Sequence, residues 1–350
     1  AQPADTGKTF LCQAANTFGS TNSPAATLTV IAGPTQAYPA AVLADQPLGY
    51  WRLNESPDNG AGNNGTVAHD YIGGHNGSYN NCMIAVSGYN PTADADTAAE
   101  FGGSGVGSYA GNILDVDFAA PAGTTVNFSV EAWAKGAMQT QDGGIVTKGA
   151  GAGGEQFTLD TGGGNHGFRF FYRDASGNTH GAVSSVALDG AWHHVVGVCD
   201  QTSGGTRLYI DGVLVATGDS PTFGVLASGV PLSIGSRKSS DISTYDVQFA
   251  GKIDEVAAYR YALTPAQVLA HYYTAAPAPV ITQGPTNVIV PENTTAAFYC
   301  SAYGPGTLGY QWYFDASGGD PTTPLTGQTG SNLVLNGVTA AMNGYTYKVI

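Results

Sequence analysis

The chain has 350 residues, a length that suggests about two to three domains. It carries 12 Lys and Arg against 26 Asp and Glu, a net charge of −14. So few cations exclude a phosphate-binding surface and with it a nucleic-acid partner. Hydrophobic residues make up 42% and aromatics 10%, too much for a disordered chain. No apolar run reaches the roughly 18 residues that a membrane span needs. There are 50 Gly, and Thr, Ser, Val, Tyr and Asn dominate over helix formers, which suits an all-β protein with tight turns. The four cysteines, Cys12, Cys82, Cys199 and Cys300, match no zinc spacing. Their pairing is open between buried thiols and one or two disulfides. The start at Ala1-Gln2-Pro3 suggests a processed product or an excerpt. The scarcity of Lys and abundance of Gly, Thr and Asn suggest an extracellular or cell-surface protein.

In chain order, residues 1–33 end in the alternating strand Ala26–Val30 and a Gly33-Pro34 break. Residues 34–276 hold the bulk of the core. A Pro/Ala hinge at 275–279 opens residues 277–350. The two ends are alike: Asp5–Cys12 aligns with Met342–Val349, each a Gly turn leading into a strand. Cys300 lies on an alternating strand, and Trp312 follows twelve residues later, before a Gly-x-x-Tyr-type turn. These ends resemble immunoglobulin-like modules of bacterial surface proteins. Val349 stands where the second cysteine of that pattern belongs. The resemblance makes 1–33 the last strands of one module and 277–350 a module lacking its final strand. Either the chain is cut from a longer array, or the 1–33 segment of a neighbouring copy completes the 277–350 sandwich and builds a filament.

The middle segment reads as short strands, among them Gly49–Leu53, Phe128–Trp133, His193–Val198, Thr206–Ile210 and Pro231–Gly235. Asp211-Gly212 predicts a two-residue hairpin turn. Thr264-Pro265-Ala266-Gln267 predicts a capping box at the start of a short helix. The series Tyr50-Trp51-Arg52-Leu53, Asp70–Tyr79, Ala99–Ser104, Phe128–Trp133, Ile145–Gly149, Trp192–Val198, Leu208–Gly212 and Gly251–Tyr259 follows in order. This order resembles the laminin-G-like, concanavalin A-like lectin/glucanase jelly roll over nearly all of 45–273. The expected fold is therefore an all-β jelly-roll sandwich with flanking immunoglobulin-like segments. The resemblance implies one structural Ca²⁺ at a sandwich rim. The Asp-x-x-Gly turn and the Ile-Asp-Glu element place it at the side chains of Asp70 and Asp254, with carbonyls around Gly73 and Asn76.

Glu131 and Glu255 lie in apolar strands and could form a buried acid/base pair. The glucanase members of the family carry Glu-x-Asp-x-x-Glu on one strand, and no such run occurs here, so each is expected to bond backbone or Arg52. His193 and His194 are adjacent on a strand and point to opposite faces, which suits one packed and one surface residue rather than a ligand pair. His75, His166 and His180 lie in turns and suggest nothing specific. Tyr71, Tyr89, Tyr109 and Tyr245 sit in loop-like sequence and could stack on sugar rings. The reading is a non-catalytic structural, adhesive or filament-forming segment of a large surface protein. The alternative is a carbohydrate-binding module. Partners would be neighbouring copies or glycans, with no nucleic acid and no membrane span.

Overall fold

The strands of the middle segment pack as two sheets face to face. The computed structural model describes residues 3–57, 63–90, 94–103, 107–139, 142–162, 167–221, 223–275, 279–303 and 308–350. The hinge residues 276–278, Ser104 and His166 lie outside them. Residues 1–35 and 36–350 form two units. In the first, Thr9–Phe10 pairs with Ala26–Thr27 and Gln13–Asn16 with Gly19–Asn22. Every strand residue there is exposed.

The second unit holds the sandwich. An eight-stranded sheet runs in the order Val213–Asp219, Gly205–Ile210, Asp189–Asp200, Asn127–Ala137, Ala250–Tyr259, Thr97–Gly102 and Met83–Ser87, with Gly49–Trp51 also on Ala250–Tyr259. A ten-stranded sheet runs Thr179–Val183, Arg169–Arg173, Gly154–Asp160, Gly144–Ala150, Leu232–Ile234, Tyr109–Ile113, Gly77–Asn80 and Val67–Ala68. The hairpin Arg237–Lys238 and Tyr245–Asp246 attaches to it. Between the sheets, Phe128, Val130, Ala132, Val195, Leu208 and Ile253 meet Phe157, Leu159, Phe170, Val146, Leu232 and Ile234 in one buried core. All-β organisation and the sandwich are as the sequence implies.

The eight-stranded sheet is buried on its other face as well. Helix α1, Ala37–Ala44, and helix α2, Pro265–Thr274, cover it. Tyr38 and Val42 of α1 and Val268 of α2 pack with Trp133, Val196, Val198, Tyr209, Ala257 and Tyr259 in a second core. This double burial explains why strands such as His193–Val198 read as continuous apolar runs. Helix α2 carries the expected capping box: Thr264 accepts from the Gln267 N–H, and the Gln267 side chain returns to the Thr264 N–H. Helix α1 is unanticipated, although Ala-Tyr-Pro-Ala-Ala-Val-Leu-Ala is rich in helix formers with Pro39 in the first turn. At Ile210–Val213 the expected hairpin forms, with Asp211 and Gly212 at φ +53° and +78°.

Residues 279–350 form short strand pairs around Trp312, which is packed with Cys300, Leu333 and Val349. All four cysteines are free thiols, Cys12 exposed and the others buried. No helix is long and apolar enough to cross a membrane among the described residues.

Candidate functional site

The chemistry gathers on the helix-covered face of the eight-stranded sheet, and a β-bulge creates it. Glu131 pairs with Ala257 and Trp133 with Asp254, so Ala250–Tyr259 carries one extra residue between those pairs. Glu255 takes the left-handed conformation there, at φ +53°. Ile253, Val256 and Ala258 stay in the inter-sheet core. The inserted residue therefore lets consecutive Asp254 and Glu255 share the opposite face.

Around them lies an acidic cluster with one arginine. Arg52 donates from Nε to Glu255 Oε1 at 3.0 Å and from Nη2 to Asp94 Oδ2 at 2.8 Å. The same Nη2 is 2.9 Å from Glu255 Oε1 and also contacts Asp96. The Tyr50 hydroxyl donates to Glu255 Oε2. Asp254 Oδ2 accepts the Tyr89 N–H at 3.0 Å. Asp254 Oδ1 and Asp94 Oδ1 are buried with no hydrogen-bond partner. Burial pushes Glu255 up to about 8, against the pull of Arg52. Burial, then the charges of Glu255 and Asp96, raises Asp254 well above the usual carboxylate range. Asp94 is raised chiefly by burial.

Glu131 has a separate set of partners. Its Oε2 is 3.0 Å from His194 Nε2 and 3.0 Å from His271 Nδ1, and Tyr259 donates to its Oε1. On the far side of the imidazole, His271 Nε2 is 3.2 Å from Asp45. Burial acts to raise Glu131, but the imidazoles of His271 and His194 prevail and hold it well below the usual range. Glu131 and Glu255 thus form no acid/base pair. Glu255 bonds Arg52 as expected, and Glu131 is met by imidazoles instead. His193 turns to the other side and pairs with Asp211 at 2.8 Å.

The implied Ca²⁺ set divides between two places. Asp70 Oδ1 accepts from the N–H groups of Tyr50 and Ile72, at 2.8 and 3.0 Å. Its Oδ2 accepts from the His75 N–H at 3.2 Å and lies 2.9 Å from His75 Nδ1. Asn76 Oδ1 accepts the Asp70 N–H at 2.8 Å, and the Gly73 N–H donates to the Asp70 carbonyl at 3.1 Å. An ionised carboxylate has about four lone-pair sites, and all four of Asp70's are occupied. Asp254 stands instead in the acidic cluster. Among the described residues, the metal-competent grouping is Asp94, Asp96 and Glu255, whose ligand oxygens lie within 4.8 Å of one another. Asp94 and Asp96 were not singled out in the sequence. Their signal was the Asp-Ala-Asp spacing, which is too common to stand out.

The four candidate tyrosines separate. Tyr89 stacks on Trp133, with ring centroids 4.7 Å apart, beside the second core. The Tyr71 hydroxyl donates to Asn54, and Arg52 lies over its ring. Tyr109 and Tyr245 stack on each other at 3.6 Å on the outer face of the ten-stranded sheet. Gly111 makes room for this: a Cβ there would come 2.6 Å from the Tyr245 hydroxyl. On the same face, Thr147 pairs with both Thr158 and Ser233. The carboxylates nearby are bridged to arginines: Asp160 and Asp142 to Arg169, Glu155 to Arg173 and Arg237, Asp246 to Arg237. His180 is held between Asp174 and Asp219.

A family model described as the concanavalin A-like lectin/glucanases superfamily matches residues 111–269. No curated protein matches the chain. Among solved structures, the botulinum neurotoxin serotype D binding domain is 13% identical, with a TM-score of 0.45, over 83% of this chain and 70% of that one. The serotype G binding domain is 12% identical, with a TM-score of 0.42, over 58% of this chain and 47% of that one, so the chain spans about half its length. Domain 4 of AbnA, an extracellular arabinanase from Geobacillus stearothermophilus solved with arabinotriose, is 17% identical, with a TM-score of 0.41, over 65% of this chain and 98% of that one. Likenesses this loose say nothing about what this chain binds. The two packed sheets form an all-β sandwich, and residues 111–269 within it match that family model.

Proposed function

We propose that the jelly roll is a non-catalytic carbohydrate-contact module in an extracellular or cell-surface protein, flanked by immunoglobulin-like segments. The observation that carries this reading is the outer face of the ten-stranded sheet. It presents the Tyr109–Tyr245 stack, with the Asn112 amide on the Ser78 hydroxyl one strand away. Aromatic faces ringed by a few polar groups suit sugar rings. The carboxylates described on that face are held by arginines, which leaves them poorly placed to exchange protons with a substrate. The experiment is a glycan array probed with the full chain. A bound glycan whose signal falls at least tenfold in Tyr109→Ala supports the reading, and no binding by the wild type ends it.

A structural or adhesive role, with copies of the chain joining, is the second reading. It is favoured by a cleft of about 420 Å³ lined in part by Val288, Ile289, Phe298, Leu335 and Tyr347, where Ile289 is 98% exposed. Light scattering on the full chain, wild type against Ile289→Asp, tests it. Monomers at all concentrations would end it.

A further inference from the structure

We propose that an acidic sugar unit binds a half-buried strip on the helix-bearing face of the eight-stranded sheet, at Trp192, Lys135 and Lys252. Ala134 and Ile253 point into the inter-sheet core, so their strand neighbours Lys135 and Lys252 point the other way. The two lysines are direct cross-strand partners. Trp192 is the partner of Lys135 on its other side, and Glu100 is the partner of Lys252. Trp192 packs partly against the second core, which fixes the same face. Trp192, Lys135, Lys252 and Glu100 thus form one row across four neighbouring strands, all of them half-buried. Side chains paired in this way stand about 4.5–5.5 Å apart at Cβ.

Two like charges set directly opposite each other repel. The chain has only 12 Lys and Arg and a net charge of −14, yet neither lysine has an ion-pair partner among the described residues. Glu100 makes no ion pair there either, and with its charge counted the row stays positive. Asp189, near Trp192 along its strand, is already engaged by the Ala191 N–H at 2.7 Å and lies 3.3 Å from His193 Nε2. An anion seated between the two ammonium groups would answer both charges at once. A lysine ammonium is a compact point charge with three donors, which suits one carboxylate or sulfate group. The indole of Trp192, next in the row, supplies an apolar face for the ring that carries that group. A ring with an acidic group on its rim is the chemistry of a uronic acid or a sulfated sugar. The strip belongs to a different sheet from Tyr109 and Tyr245, so it would bind independently of them.

The test titrates the full chain with an oligogalacturonate hexamer and its methyl ester, and with a sulfated galactan hexamer and its unsulfated form. Binding is read by calorimetry and by tryptophan emission; Trp51, Trp133 and Trp312 are buried, so a spectral change reports Trp192. The expected result is that an acidic hexamer binds at least tenfold tighter than its uncharged counterpart and shifts the emission. Which of the two binds separates carboxylate from sulfate. Affinity should fall tenfold or more in 1 M NaCl, where the Debye length is about 3 Å. It should fall as far when Lys135→Gln and Lys252→Gln are combined, and stay within twofold in the charge-matched control Lys8→Gln. If the double variant does not fold, each single substitution carries the comparison, with a loss of threefold or more. No binding of either acidic hexamer at millimolar concentration would overturn the proposal. So would equal binding of charged and uncharged probes, binding without a change in emission, or binding that is lost in Tyr109→Ala and kept in the lysine variants.

Discussion

Replacing Glu131 by Gln tests how the helix-covered face is held together. Glu131 is fully buried and accepts from His194, His271 and Tyr259. A neutral amide cannot satisfy all three donors, and His271 is left with Asp45 alone as a counter-charge. Breaking a buried pair from one side costs about 3–5 kcal/mol. A jelly roll of about 240 residues has an unfolding entropy near 0.5 kcal/mol/K, so Tm should fall by about 6–10 °C. The pH dependence carries its own sign. Glu131 is held below its ordinary value, so its share of stability is present above about pH 4.3 and is lost as pH falls through the depressed value. His271 is raised: burial opposes the shift, but Glu131 and then Asp45 outweigh it. Its share is present below about pH 6.5 and is lost as pH rises through the raised value. The gap between wild type and Glu131→Gln should therefore be widest near pH 5–6.5 and narrow on either side. Calorimetry of the full chain across pH 3–9 measures it. A Tm difference under about 2 °C at pH 6, or one flat across the range, would refute the reasoning.

Three further outcomes follow from the packing. Gly197→Ala would put a Cβ 2.2 Å from the Phe170 ring in the inter-sheet core, so it should cost at least about 1–3 kcal/mol, read as a lower midpoint in urea. Thr264→Ala removes one half of the capping box on helix α2 and should cost about 1 kcal/mol, with a small loss of helical circular dichroism. Thr158→Val removes a buried hydroxyl with no partner, so Tm should stay level or rise slightly; a fall beyond about 2 °C would show that this hydroxyl has a partner.

Elements whose causes are local are legible in the amino-acid sequence. Short runs between Gly and Asn turns marked the strands, Asp211-Gly212 fixed its hairpin, and Thr264 with Gln267 fixed the start of helix α2, because each depends on residues a few positions apart. The opposite facing of His193 and His194 followed from strand geometry alone. Helix α1 was missed because its cover of the sheet, rather than any cap, gives it a reason to form. The site was decided by tertiary structure. The Asp70 turn looked like a ligand loop in one dimension; the N–H groups of Tyr50, Ile72 and His75 converge on it only in three. One inserted residue at Glu255 turned two adjacent acids to the same face, and a strand's sequence carries no local mark of such a bulge. Asp94, Asp96 and Arg52 then met those acids from segments about 160 and 200 positions away, as only long-range sheet pairing can arrange.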